Sequence, residues 1–120
     1  MSKHASEHHE QAALIDWCRW QRKKYPETEF LFAIPNGGLR HKRTAVKLKR
    51  EGVKAGVSDL FLPVPKGEFH GLWIEMKSKK GRPTKAQKKW LKDMKELGYQ
   101  TAICYGAEEA IEVLKEYLKE

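Results

Sequence analysis

Apolar positions along this chain switch between helical and strand spacing, and the switches mark eight elements. Ala13, Leu14, Trp17 and Cys18 fall at helical spacing behind Ser6, a good N-cap, so a helix is expected over residues 7–24. Phe30-Leu31-Phe32-Ala33-Ile34 is a short apolar run of strand length, closed by Pro35-Asn36-Gly37-Gly38. Residues 40–51 form a basic helical stretch ended by Gly52. A strand follows over Val57 to Val64, stopped by Pro63 and Pro65. Lys66-Gly67-Glu68 supplies a hairpin turn, and Leu72 to Lys77 the returning strand. Beyond Gly81-Arg82-Pro83, Thr84 caps a helix running to Leu97, with Gly98 just after it. Gln100 to Tyr105 reads as a strand with Thr101, Ile103 and Tyr105 on one face. A last helix over residues 107–119 sets Ala110, Ile111, Leu114, Tyr117 and Leu118 on its apolar side. The order α-β-α-β-β-α-β-α predicts an α/β fold, a mixed four-stranded sheet flanked by helices.

Composition narrows the class. At 120 residues, one domain spanning 1–120 is expected. No apolar run reaches the roughly 18 residues of a membrane span, and no signal peptide is visible. Two cysteines, Cys18 and Cys104, fit a reducing cytoplasm better than a disulfide scaffold. The net charge of +8 is unevenly placed. Residues 40–54 carry seven Lys or Arg and one acid, and residues 77–95 carry nine and one. The remainder is acidic. Two basic blocks on an acidic remainder point to a polyanion, with the phosphate backbone as the natural target.

A few polar residues break the apolar pattern. Glu75 and Lys77 share one strand face with Trp73, while Leu72, Ile74 and Met76 take the other. A hairpin folded symmetrically about Gly67 would set Asp59 directly opposite Glu75. Like charges so placed are unfavourable as structure but natural as ligands of Mg²⁺ or Mn²⁺. Glu10 falls on the core-facing stripe of the first helix; it is either functional or a favourable charge near the helix start, a role Glu7 fills equally well. Gln87 precedes Trp90, Leu91 and Met94 on an apolar stripe, and Thr84-x-x-Gln87 also fits a capping box. His4 and His8 have helical spacing, but no zinc site is expected in that polar terminus.

An Asp, a Glu-x-Lys across a hairpin, a helical Glu before them and a helical Gln after them form an ordered set. In this arrangement the chain resembles the PD-(D/E)xK nuclease superfamily, and more narrowly its VRR-NUC (virus-type replication-repair nuclease) family. The matching segments are Glu10-Gln11, Ile34-Pro35-Asn36-Gly37-Gly38, Gly56-Val57-Ser58-Asp59-Leu60, Trp73-Ile74-Glu75-Met76-Lys77 and Thr84-x-x-Gln87. Ser58 stands where the superfamily name has Pro, as is usual in this family.

The resemblance implies a restriction-endonuclease-like α-β-β-β-α-β core and metal-dependent hydrolysis of phosphodiester bonds. Asp59, Glu75 and the Met76 backbone carbonyl would hold Mg²⁺, which Mn²⁺ could replace. Glu10 would help hold a second metal, Lys77 would orient or activate the attacking water, and Gln87 would support it. Arg40, Lys42, Arg43, Lys47, Lys79, Lys80, Arg82 and Lys85 would bind DNA phosphates. Small members of the family look like phage or bacterial proteins and are similar to homodimeric Holliday-junction resolvases. Branched DNA, a homodimer and a cytoplasmic location (the host's, for a phage protein) are therefore expected. The other readings are a nuclease with flap, single-strand or duplex preference, and a basic nucleic-acid-binding module that does not cut.

Overall fold

The computed structural model describes residues 3–35 and 42–119. Helix α1 (Lys3–Trp20) leads through a short 3-10 helix (Pro26–Phe30) to strand β1 (Phe32–Ala33). Helix α2 (Lys42–Arg50), strands β2 (Leu60–Leu62) and β3 (Leu72–Lys77), helix α3 (Lys85–Glu96), strand β4 (Gln100–Tyr105) and helix α4 (Ala107–Leu118) follow. The sheet order is β1-β2-β3-β4. The first two pairings are antiparallel, and β3 and β4, joined through α3, are parallel. The expected core is therefore present, with α2 inserted and α4 appended.

Register follows the alternation of the strands. Leu60 opposes Ile74, Phe61 opposes Trp73 and Leu62 opposes Leu72, the pairing of a hairpin centred on Gly67. Nearer the turn the pairing slips by one, because Lys66 bridges Phe69 around Gly67-Glu68. The extra residue lies on the β2 side, in Pro63-Val64-Pro65, where proline cannot extend the ladder. One sheet face presents Leu60, Leu62, Leu72, Ile74 and Met76, all essentially buried. Leu14 and Cys18 from α1 and Ala110, Leu114 and Leu118 from α4 complete this core. The opposite face carries Phe61, Trp73, Glu75 and Lys77, and α3 covers it over β4.

Several boundaries differ from expectation. Helix α1 starts at Lys3, so Ser6 lies within it rather than capping it, and it ends at Trp20. Ala13 is exposed, because Leu14 and Cys18, one turn apart, centre the buried stripe. The apolar run at 30–34 is not a buried strand. Phe30 closes the 3-10 helix, and β1 is a two-residue edge with both side chains exposed. Thr28 enforces this, its hydroxyl donating to the carbonyls of Tyr25 (2.7 Å) and Cys18 (3.2 Å). Strand β2 is shorter than 57–64 because Asp59 turns its side chain, in place of ladder pairing, toward β3.

The loop before β2 is fastened to α3. Gly56 has φ +88°, and a Cβ there would stand 2.5 Å from the Ala86 carbonyl oxygen. Gly52, at φ +103°, has nothing within 4 Å of the same position. Both Gly52→Ala and Gly56→Ala place a side chain in the left-handed region, on the order of 1–3 kcal/mol. Only Gly56→Ala must also displace backbone. Urea unfolding is expected to show the larger loss for Gly56→Ala; equal losses would mean that the contact with α3 gives way freely.

Candidate active site

The site grows from two strand ends. At the start of β2, Asp59 Oδ2 accepts the Met76 N–H at 2.7 Å. Its own backbone carbonyl accepts from Ile34 N–H at 2.8 Å, which ties β1 to the same point. Asp59 thus substitutes a carboxylate for a ladder carbonyl where β2 and β3 diverge. On β3, Glu75 is 1% exposed and Lys77 is 8% exposed. The Lys77 Nζ stands 3.4 Å from Glu75 Oε2. The expected constellation of Asp59, Glu75 and Lys77 is therefore brought together on one sheet face.

Electrostatics makes this arrangement costly for a chain on its own. Burial, followed by the facing Asp59 carboxylate, pushes the Glu75 carboxyl up to about 8, with Lys77 opposing the rise. Glu75 Oε1 is buried without a hydrogen-bond partner, and so is Ser78 Oγ. A buried carboxylate with an orphaned oxygen beside a second carboxylate is a donor set suited to a hard divalent cation. Among the described residues, no group of three His, Cys, Asp or Glu side chains converges closely enough to hold a metal. Among the described residues, the two carboxylates shown to face each other at this point are Asp59 and Glu75.

The other expected residues are placed as follows. Glu10 Oε1 accepts the Ala107 N–H at 2.6 Å, so its carboxylate caps the first turn of α4. Gln87 completes the capping box: its side-chain oxygen accepts from Thr84 N–H at 2.8 Å, and its own N–H donates to Thr84 Oγ1 at 3.1 Å. Lys47, Lys79, Lys80, Arg82 and Lys85 are exposed. Arg40 lies outside the described residues with Asn36 and Gly37, and so do the side chains of Lys42 and Arg43.

Glu7 emerges as a further carboxylate beside the site. A Cβ on Gly81 would lie 3.2 Å from Ser78 Oγ, 3.3 Å from Glu7 Oε2 and 3.4 Å from Lys77 Cδ. Periodicity could not separate Glu7 from Glu10, since residues three apart share a helix face. The absence of a Cβ at Gly81, which lets these side chains close on the loop, was the available signal.

This sheet, with its paired carboxylates and lysine, defines a nuclease-type core. The family model described as the VRR-NUC domain matches residues 3–108. A solved structure of a VRR_NUC domain protein superposes with a TM-score of 0.81 at 30% identity, covering 94% of this chain and 88% of that one. No curated protein matches. The chain belongs to the VRR-NUC family. Its function is accordingly of the nuclease type, with nucleic acid as the substrate class. None of the described helices is long and apolar enough to cross a membrane.

The raised Glu75 pKa fixes a pH response for the metal-free protein. Between its ordinary value of 4.5 and about 8, the folded chain holds a proton that the unfolded chain has released. Stability from this group is thus full below the lower value and declines as pH rises through the window. Urea unfolding in EDTA is expected to show that decline, and Glu75→Gln to flatten it. Identical slopes in the two proteins would refute the buried protonated acid.

Proposed function

We propose that the chain is a Mg²⁺-dependent, structure-selective DNA endonuclease acting on branched DNA such as Holliday junctions. The observation that carries this reading is the buried Glu75 beside the half-buried Asp59, with Lys77 within ion-pair distance. Asp59 and Glu75 would hold the metal together with the Met76 carbonyl. In an extended strand, one residue's N–H and C=O point to the same side, and the Met76 N–H already points at Asp59. When bound, Mg²⁺ (or Mn²⁺) supplies Lewis-acid polarisation of the scissile phosphate and a more acidic water.

The chain's own groups do the rest. Lys77, held by Glu75, sets a positive charge where negative charge grows during attack. Its Nζ also positions the attacking water. Gln87 shapes this end of the site by fixing the start of α3, from which Lys85 and its neighbours reach flanking phosphates. Exposed Lys79, Lys80 and Arg82 extend that basic border along the loop after β3. A homodimer would place one such site on each of the two symmetric strands of a four-way junction.

Glu75→Ala, Asp59→Asn and Lys77→Ala are each expected to lower Mg²⁺-dependent cleavage of a labelled junction by at least about 100-fold. DNA binding in EDTA should persist. Retained cutting by clean Glu75→Ala protein would remove the assignment, while salt-sensitive binding without any cutting by the unmodified chain would favour a non-catalytic binding module.

Two first-helix carboxylates are candidates for the remaining acidic place. Glu10 is the one offered by the sequence, and Glu7 is the one whose Oε2 approaches the Gly81 loop alongside Lys77. Glu10→Gln keeps an oxygen for Ala107, whereas Glu7→Gln removes charge beside the site. Glu7→Gln is expected to lower cleavage with little change in melting temperature. Glu10→Gln is expected to keep most stability, and its cleavage rate reads directly whether that carboxylate's charge serves the metal.

A further inference from the structure

The catalytic face of the sheet continues from its carboxylates into aromatic rings. Alternation places Phe61 two residues after Asp59 on β2 and Trp73 two residues before Glu75 on β3. The rings therefore lie one pleat repeat, about 7 Å, from the acids and on their side of the sheet. Phe61 stacks on Trp73 with centroids 4.2 Å apart. Trp90 from α3 braces Trp73 edge-on at 5.2 Å, and Tyr99 meets Phe61 at 5.8 Å. At the open end stands Phe32, perpendicular to Phe61 at 6.0 Å and 47% exposed. Helix α3 lies over β4 and reaches Trp73, and none of the described helices covers Phe32.

We infer that Phe32, backed by Phe61, is a stacking platform for an unpaired nucleobase next to the scissile phosphate. The inference rests on the nuclease reading of the adjacent site and names the feature of the substrate that the site selects. Two observations favour a base as the occupant. Phe32 on β1 pairs with Phe61, the ring two residues from Asp59, so a nucleic acid running from the carboxylates toward this sheet edge passes over it. Helix α3, which reaches the same face through Trp90, carries exposed lysines for the phosphates beside an aromatic contact. The supporting rings are already packed, so a base adds to a prepared surface. In a continuous duplex both faces of each base are occupied by neighbours. Only an unstacked base, at a branch point or in a single strand, can lie on Phe32.

The experiment compares binding of labelled oligo(dT) and of a continuous duplex, in EDTA, by fluorescence anisotropy. Phe32→Ala and Phe32→Leu are each expected to weaken oligo(dT) binding about tenfold and to leave duplex binding within about twofold. Phe32→Trp should restore it. Leucine keeps apolar bulk at the exposed edge and lacks the ring, so its loss separates stacking from folding. Unchanged oligo(dT) binding, or equal losses on both DNAs, overturns the platform. So does a dimer of the unmodified chain that Phe32→Ala converts to monomer in light scattering. Mg²⁺-dependent cleavage by the unmodified chain, measured in parallel, keeps the two claims apart. Cleavage with Phe32 indifferent defeats the platform alone, and discriminating binding without cleavage defeats the nuclease reading alone.

Discussion

A carboxylate in the middle of a buried strand needs a reason to be there, and Glu75 organises the face around it. Its neighbours supply only partial compensation. Lys77 offers one positive charge at 3.4 Å, while Asp59 faces it as a second acid. The resulting proton, held well above the usual carboxylate range, is the cost of burying Glu75 beside a second carboxylate. A divalent cation would exchange that proton for a charge matched to both acids. Much of the local geometry serves this one point. Asp59 is fixed by the Met76 N–H, β1 is tied in through Ile34, and the Gly56 contact with Ala86 holds the approach loop.

The legible part of the site was the part that strand geometry dictates. Side-chain alternation put Glu75 and Lys77 on one face, and the Gly67 turn set the register that brings Asp59 to them. Both arguments depend on a period of two and a turn residue, which local sequence encodes strongly. The β3 and α3 limits were readable for similar reasons, since Gly81-Arg82-Pro83, Thr84 and Gly98 mark ends chemically. The β1 region was misread because an apolar run does not state whether anything covers it. Phe32 and Ala33 form an edge, and their exposure is decided by what the rest of the chain leaves open.

The first helix shows a different limit. Glu7 and Glu10 lie on one face, and sequence spacing ranks them equally. Contacts separate them: Glu10 reaches Ala107, 97 residues away, and Glu7 approaches the Gly81 loop. Such pairings are long-range facts that no local pattern contains. Gln87 is instructive in another way. The capping box expected from Thr84-x-x-Gln87 is fully formed, so both hydrogen bonds of that motif have a structural use whatever else the residue does.

The contact between Gly56 and Ala86 gives the molecule a mechanical property. The loop that delivers Asp59 rests on the first turn of α3 with no side chain between them. That helix also carries a row of exposed lysines. The placement of those lysines and the approach of Asp59 to β3 therefore share one backbone-to-backbone contact that does not pass through the sheet.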